Sequence, residues 1–332
     1  MTITTRQELQ QGLFPNGIPQ LWCPTLTHFK AAHVPDGARI AAHYSRLAPY
    51  VGGILVPGST GEGWEMSDAE VRQLLQICLP AAHAAGMRVL IGVLKTETEQ
   101  MITALDALEE LCRHPAVVGI TVCPPRGADL TQSQIAAGLG EILQRGIPTA
   151  LYQLPQITQN EMEPQTVALL ASEFPNFFMF KDTSGEDRVA LSNVDLGGVF
   201  LVRGSERGGY AKWHRAAGGA YDGFLLSTAN CFAPELSLML ALLDAGNAAD
   251  AQGLSDQVEH IVTAAFELVK TFPVGNAFTN ANKLLDHMLT YGQNAASVPA
   301  PLLISGQPLP TEMIAAAARW PLPLPTRRAS ER

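Results

Sequence analysis

The chain has 332 residues, of which 47% are apolar and 16% are charged. That composition is typical of a compact globular protein and excludes a disordered one. The formal net charge of −9 is spread along the chain without a basic run, which argues against nucleic acid or an anionic membrane as a partner. The N-terminus lacks a signal-peptide profile and no apolar stretch approaches a membrane span, so we expect a cytoplasmic protein.

The cysteines are odd in number, widely spaced and mostly set within apolar runs. They are Cys23, Cys78, Cys112, Cys123 and Cys231. We expect them to be small buried hydrophobic residues in a reducing compartment rather than a disulfide framework. The eight histidines are scattered and no Cys-x-x-Cys spacing occurs, so we expect no metal site and assign no cofactor.

Eight short apolar runs recur along the chain, most of them about 22 to 36 residues apart from start to start. They cover residues 21–27, 52–60, 88–94, 117–123, 148–154, 177–181, 199–205 and 222–229. The runs are continuously apolar and helical segments separate them, which is typical of a parallel sheet covered on both faces. We therefore predict an α/β protein with a (β/α)8 TIM barrel and a C-terminal helical extension. An open doubly wound sheet is the alternative, although the Gly-x-Gly-x-x-Gly fingerprint is missing.

One helix start is well marked, because residues 67–70 (SDAE) form a Ser-x-x-Glu capping box with Ser67 as N-cap. The loop at 58–66 then lies between a strand end and a helix start. After about residue 232 the strand pattern stops and helical segments follow. We predict three regions, which are a barrel over 1–235, a helical extension over 236–320 and a flexible tail over 321–332.

Reactive groups of a parallel barrel come from the strand C-termini and the loops that follow them. Lys181 ends the aromatic run at 177–180, where poor solvation would favour its neutral amine. A neutral amine attacks a ketone or aldehyde to form a Schiff base. Alternatively, the stem of Lys181 packs while its charged head reaches water, as is common for lysines at strand ends. Lys95, at the end of the third strand, fits the positional description nearly as well.

Two further strand ends offer complementary groups. The GSTG loop supplies backbone N–H groups with the hydroxyls of Ser59 and Thr60, an arrangement that suits a small carboxylate. Such a loop by itself is more often an ordinary turn. Tyr152, one strand before Lys181, is either a proton-shuttling phenol or a packed barrel residue. Together, a carboxylate cradle, a phenol and an amine describe a site for a 2-oxo acid.

Five segments occur in the order typical of one family. They are GSTGEGWEMSDAE (58–70), YQLP (152–155), FKDTSG (180–185), RGS (203–205) and STAN (227–230). This chain, over roughly residues 20–235, resembles the N-acetylneuraminate lyase / dihydrodipicolinate synthase family. The resemblance implies a barrel with a C-terminal helical bundle, usually a homotetramer. It also implies a lyase that forms a Schiff base with pyruvate or another 2-oxo acid.

The same resemblance implies roles for individual residues. Lys181 is then the Schiff-base residue and Tyr152 the proton-transfer phenol, while Lys95 has no catalytic counterpart in the family. The residues that hold the carboxylate or line the pyruvate pocket are Ser59, Thr60, Gly204 and Leu225.

Three departures from the family pattern bear on the substrate. Ile157 occupies the position where dihydrodipicolinate synthases typically carry an arginine, which argues against a role in lysine biosynthesis. The segment CPPRGAD (123–129) lacks the tyrosine that often enters a neighbouring subunit's proton relay. Arg126 in that segment is either a ligand for a substrate carboxylate or a surface residue. Gln153 replaces the usual asparagine, a smaller change.

Our first hypothesis is an aldolase that releases or consumes pyruvate and acts on a 2-keto-3-deoxy sugar acid or a similar 2-oxo acid. The same imine could drive loss of water, so a dehydratase of such an acid is the next hypothesis. Dihydrodipicolinate synthase comes third because of Ile157. A protein that binds a 2-oxo acid without turnover is the alternative from a different class.

Overall fold

The computed structural model describes residues 5–322 and residue 324. Its strands are β1 (Leu21–Pro24), β2 (Phe29–Ala31), β3 (Val34–Pro35), β4 (Gly53–Val56), β5 (Arg88–Val93), β6 (Val117–Val122), β7 (Thr149–Gln153), β8 (Phe177–Asp182), β9 (Phe200–Arg203) and β10 (Gly223–Leu225). All except β2 and β3 pair in parallel, and β1 closes the barrel by pairing with both β10 and β4. Each barrel strand overlaps one of the eight predicted runs, and β8 alone extends past its run, by Asp182, so the predicted (β/α)8 TIM barrel is confirmed. The hairpin β2–β3 was not predicted.

The helices of the described chain surround the barrel and then extend beyond it. They are α1 (Arg6–Leu13), α2 (Gly37–Leu47), α3 (Asp68–Ala84), α4 (Thr98–Cys112), α5 (Gln132–Leu143), α6 (Pro155–Thr158), α7 (Pro164–Glu173), α8 (Ala229–Asp244), α9 (Ala248–Val269), α10 (Ala277–Tyr291) and α11 (Thr311–Ala317). Helix α3 begins after Ser67, whose side chain accepts from the N–H of Glu70 while the Glu70 carboxylate accepts from the N–H of Ser67. The predicted capping box is therefore confirmed.

Two of the barrel connections differ from a strand-plus-helix unit. Residues 183–199, between β8 and β9, contain turns and no α-helix. Their sequence is rich in Gly, Ser, Asn and Asp, whose side chains or backbone freedom favour turns over helix. Between β9 and β10 the chain forms only short 3-10 segments at Ala211–Trp213 and Arg215–Ala217. In the described chain these two connections therefore contribute no α-helix to the outer layer of the barrel.

The N-terminal end of the barrel is closed by α1, a helix that the sequence analysis missed. Leu9 and Phe14 belong to the core inside the barrel. The ring of Phe14 packs edge-on against the ring of Trp22, with 5.9 Å between the ring centroids. The guanidinium of Arg6 donates to the carbonyl oxygens of Phe177, at the start of β8, and of Phe174, directly after α7. These contacts place the closed end of the barrel opposite the strand C-termini.

Helices α8, α9 and α10 pack on one another, as the helical pattern after the barrel predicted. The last barrel strand ends at Leu225 and α8 begins at Ala229, close to the predicted boundary at 235. The division into regions stays a prediction, and most of the predicted flexible tail lies outside the described residues. Within the described chain, no helix has the length and apolar character that a bilayer crossing requires.

Candidate active site

Lys181 and Tyr152 lie side by side at the C-terminal ends of neighbouring strands. They are register partners in the parallel pairing of β7 with β8. The Nζ atom of Lys181 lies 3.9 Å from the centroid of the Tyr152 ring. Both residues are buried, with Lys181 only 3% exposed. The two residues predicted to act together are therefore in direct contact.

Burial determines the protonation state of Lys181. Its amine makes no hydrogen bond or ion pair with any described residue, so little compensates the lost hydration of a positive charge. Burial therefore lowers the pKa of Lys181 to about 7, although Cys123 and Glu206 act in the opposite direction. A large fraction of the amine is neutral at neutral pH, which is the form that attacks a carbonyl group.

Lys95 lies in a different environment. Its Nζ is 2.6 Å from the carboxylate of Asp68, and its side chain is 23% exposed. Its ammonium group therefore has both a counter-ion and access to water. Of the two lysines that the sequence left open, only Lys181 has the surroundings of a nucleophilic amine.

The Tyr152 phenol is held in its protonated form. Burial raises the pKa of Tyr152 well above its usual range and Cys123 adds to the effect, whereas the hydroxyls of Ser59 and Thr183 act in the opposite direction. A neutral phenol beside two hydroxyls can donate a proton to a substrate oxygen and recover it later. This geometry suits the predicted role in proton transfer.

Thr183 was not identified as a candidate from the sequence. Its hydroxyl is buried and lies near the Tyr152 phenol, without a hydrogen bond of regular geometry in the described part of the chain. A Cβ placed on Gly204 would come within 2.3 Å of that hydroxyl and 2.8 Å of Lys181 Cε. The absence of a side chain at Gly204 thus keeps space open beside both groups. The signal that could have found Thr183 is its position two residues after Lys181 at a strand end.

The loop after β4 presents Ser59 and Thr60 in a 3-10 turn over Ser59–Gly61. Both residues are buried, and the Ser59 hydroxyl accepts a hydrogen bond of 2.8 Å from Trp64 Nε1. Within the described chain the backbone N–H groups of Ser59 and Thr60 have no acceptor, while the following N–H groups close the turn onto Gly58 and Ser59. Unpaired N–H groups next to hydroxyls are suitable donors to a carboxylate.

Leu225 and Arg126 lie at different depths. Leu225 ends β10, is 1% exposed and belongs to the core inside the barrel, together with Val202 of β9. Arg126 is exposed on the loop after β6, and its backbone N–H donates to the carbonyl of Thr96 at 2.8 Å. The structure thus places Leu225 beneath the candidate site and leaves Arg126 outside the buried group around Lys181.

Glu206, after β9, is a buried carboxylate whose role the sequence did not reveal. It accepts from Ser227 Oγ at 2.6 Å, from the N–H of Thr228 at 3.0 Å and from the Tyr210 hydroxyl at 3.2 Å, and also from the Thr228 hydroxyl. Four donors occupy the acceptor positions of its two oxygens. The side chain therefore ties the β9 and β10 loops together at the mouth and brings a fixed carboxylate near Lys181.

A cavity of about 410 Å³ opens at the barrel mouth beside Thr183 and Glu206. Its inner wall includes Thr183, Ser184, Ser205 and Glu206, and its outer wall is formed by α9 and the start of α10. The free volume is of the size of pockets that hold small organic ligands.

Among the described residues, no group of three or more His, Cys, Asp or Glu side chains is arranged to hold a metal ion. All five cysteines are free, and Cys112 alone is only partly buried.

Known proteins with similar sequences point to one family. The model of the Dihydrodipicolinate synthetase family matches residues 40–283. The chain is 28% identical over 261 residues to a 4-hydroxy-tetrahydrodipicolinate synthase of Agrobacterium fabrum, and the aligned region covers 76% of this chain and 83% of that protein. It is also 28% identical over 315 residues to the enzyme of that name from Rhizobium meliloti, covering 92% and 98% of the two chains.

Solved structures with low sequence identity share the fold. YagE, a prophage protein of the dihydrodipicolinic acid synthase family from E. coli K12 solved in complex with pyruvate, superposes with a TM-score of 0.74 at 18% identity. The superposition covers 91% of this chain and 96% of that one. A putative dihydrodipicolinate synthetase from Pseudomonas aeruginosa gives 0.70 at 20% identity and covers 91% and 98% of the two chains.

Proposed function

The chain belongs to the dihydrodipicolinate synthetase family and is a Schiff-base class I lyase, and we propose that Lys181 is the residue that forms its Schiff base, with pyruvate or another 2-oxo acid. The observation that carries the assignment is the buried amine of Lys181 lying 3.9 Å from the Tyr152 ring at the barrel mouth. A pKa lowered to about 7 provides the neutral amine that the reaction requires.

The described residues account for each step of an aldol cleavage. The carboxylate of the substrate binds at Ser59 and Thr60, and the Lys181 amine attacks C2 and expels water to give an iminium ion. Tyr152 donates its proton to the C2 oxygen that leaves as water, and the resulting phenolate, with the Thr183 hydroxyl beside it, takes up the proton of the C4 hydroxyl as the C3–C4 bond breaks. The bonding electrons move into the iminium to form an enamine while the aldehyde leaves. Protonation at C3 and hydrolysis then release pyruvate and restore the amine.

For the substrate, we propose a 2-keto-3-deoxy sugar acid or a similar hydroxylated 2-oxo acid. The inner wall of the cavity carries three hydroxyl side chains, those of Thr183, Ser184 and Ser205. Hydroxyl groups can both donate to and accept from the hydroxyls of a sugar chain. The cavity of about 410 Å³ is lined by Thr183 but not by Lys181 or Tyr152, so in this proposal it holds the part of the substrate that lies away from the imine.

Synthesis of 4-hydroxy-tetrahydrodipicolinate is the second candidate, because the curated relatives carry that name. Two positions argue against it. Ile157 packs against the apolar group of Cys123, Tyr152 and Leu154, where the synthases typically carry an arginine. Arg126 is exposed and does not replace that cation within the buried group. A second carboxylate on the aldehyde substrate therefore has no buried cation here.

Borohydride reduction in the presence of pyruvate, followed by peptide mass spectrometry, tests the Schiff base. We expect the label on Lys181, its loss in Lys181→Ala, and its retention in Lys95→Ala. Absence of label on Lys181 in the wild-type protein would refute the assignment. Lys95→Ala is the matched control, because it also replaces a lysine by alanine but leaves the Lys181 amine beside Tyr152 in place.

Incubation with a panel of 2-keto-3-deoxy sugar acids tests the substrate. Release of pyruvate together with an aldehyde supports the aldolase, whereas loss of water with the carbon chain intact identifies a dehydratase. Pyruvate with aspartate semialdehyde forms the synthase arm. Turnover in that arm alone would contradict the proposed substrate, and labelling without turnover in any arm would favour a binding protein. The homotetramer and the cytoplasmic location stay predictions, and light scattering after size exclusion tests the former.

A further inference from the structure

We propose that α10 of the C-terminal extension is a working part of the carboxylate site, with Thr279 and the Lys283–Glu62 ion pair as positioning residues for the Ser59–Thr60 turn. The inference rests on the proposed function, because it assumes that this turn binds the carboxylate of a 2-oxo acid. Residues from a region more than 200 positions away in the sequence would then set the affinity for that group.

The ion pair joins three parts of the chain in the protein interior. Nζ of Lys283 lies 2.5 Å from a carboxylate oxygen of Glu62, and each side chain is 1% exposed. The same amine donates to the carbonyl of Leu302 at 2.6 Å, and the other oxygen of Glu62 accepts from the N–H of Ile304 at 2.7 Å. Both charges therefore have a partner and an additional hydrogen bond, which is the condition under which a buried pair is tolerated.

Glu62 directly follows the turn that carries the candidate carboxylate site. Its backbone has a φ of +62°, in the left-handed region that residues other than glycine rarely adopt. The two hydrogen-bonded carboxylate oxygens hold the residue in that conformation. The preceding residue, Gly61, has no room for a side chain, since a Cβ there would lie 2.6 Å from the carbonyl oxygen of Thr25. The end of the turn is thus fixed from both sides.

Helix α10 also contacts the turn itself. Thr279 Oγ1 donates towards the carbonyl oxygens of Thr60 at 3.0 Å and Ser59 at 3.3 Å, and Asn276 Nδ2 donates to the Ser59 carbonyl at 3.1 Å. A trans peptide is planar, so its C=O and its N–H point in opposite directions. Fixing the carbonyl of Ser59 therefore fixes the direction of the Thr60 N–H, one of the two unpaired donors of the turn.

A purely structural role would be that these contacts dock the extension onto the barrel and do nothing to the site. The two possibilities predict different changes in the trapping of ligands with and without a carboxylate. Pyruvate needs both the Lys181 amine and the turn, whereas acetone forms an imine at the amine without using the turn. Trapping by borohydride with each ketone therefore separates the orientation of the turn from the state of the amine.

The mild variant is Thr279→Val, which removes the hydroxyl and keeps the shape of the side chain. We expect the pyruvate concentration for half-maximal trapping to rise about tenfold, the effect of one lost or misaligned hydrogen bond to a charged group. Trapping by acetone should stay within about twofold of wild type. Thr103→Val, on the exposed face of α4, is the matched control and should change neither.

The second variant removes both charges, as Glu62→Gln combined with Lys283→Met. Replacing both members of a buried pair avoids the unpaired charge that a single replacement leaves, so this variant keeps the comparison available if a single one fails to fold. We expect the same selective loss of pyruvate trapping. Wild-type concentration dependence in both variants, or equal losses with pyruvate and acetone, would overturn the inference. Absence of trapping on Lys181 in the wild-type protein would instead refute the proposed function.

Discussion

Replacing Lys181 by Met should abolish the Schiff base and at the same time make the protein more stable. The amine has an ordinary pKa of 10.5, and burial lowers its pKa in the folded protein to about 7. Between these two values the unfolded chain binds more protons than the native protein, so native stability rises with pH across that window. Methionine keeps an unbranched apolar stem and carries no charge to desolvate.

The size of the effect follows from the difference between the two pKa values. At about 1.4 kcal/mol for each pKa unit, the buried amine destabilises the fold by about 4 kcal/mol at pH 7 and by about 2 kcal/mol at pH 9. Lys181→Met should therefore raise the free energy of unfolding by up to these amounts. The gain should decrease as pH rises.

Urea unfolding followed by tryptophan fluorescence at pH 7 and pH 9 measures the difference between wild type and variant. Lys95→Met is the control, because Lys95 is partly exposed and paired with Asp68; its change should stay within about 1 kcal/mol. A Lys181→Met protein no more stable than wild type at pH 7 would contradict a destabilising effect of the buried amine. A gain that is the same at both pH values would show that removal of charge is not its cause.

Four further outcomes are expected. As pH increases towards 7, the rate at which borohydride traps pyruvate on Lys181 should rise about tenfold for each pH unit, because only the neutral amine reacts. Above pH 7 the rate should level off, and equal rates at pH 5.5 and 8 would contradict this expectation. Tyr152→Phe should lower kcat for pyruvate release about a hundredfold or more while the trapped imine persists, and an unchanged kcat would exclude the phenol from proton transfer. Gly204→Ala should block trapping, since its Cβ would lie 2.8 Å from Lys181 Cε, whereas Gly253→Ala, in open space on α9, should leave trapping unchanged and stabilise by about 1 kcal/mol. Lys283→Met alone should destabilise by about 3–5 kcal/mol in urea unfolding because it leaves a buried carboxylate without its partner, and a change under 1 kcal/mol would show that water reaches that site.

Lys181, which destabilises the fold, and Lys283, which is paired with Glu62, lie in different parts of the same site. Lys181 lacks a counter-ion in direct contact, which costs stability and keeps the amine reactive. Burial also lowers the pKa of Lys283, but the carboxylate of Glu62, 2.5 Å away, acts in the opposite direction and pairs with its charge. The two buried lysines therefore have opposite roles because only one of them has a carboxylate partner.

The barrel, the start of α3 and the candidate lysine could be predicted from the sequence. Continuous apolar runs reflect strands that are covered on both faces, and the capping box at Ser67 is a contact between neighbours in the chain. Both signals are local, so they can be read without the fold. Lys181 was recognised because it ends such a run and because the segments around it resemble one family.

The family resemblance favoured Lys181 over Lys95, and the tertiary structure adds a contact that distinguishes the two lysines, an ion pair between Lys95 and Asp68 that no spacing encodes. The tertiary structure also revealed α1 as the closure of the barrel, through contacts between Arg6 and a strand more than 160 residues later. The link between Glu62 and Lys283 has the same character. Contacts across such separations leave no periodic pattern in the chain, since their partners become neighbours only when the barrel closes and the C-terminal helices pack against its mouth.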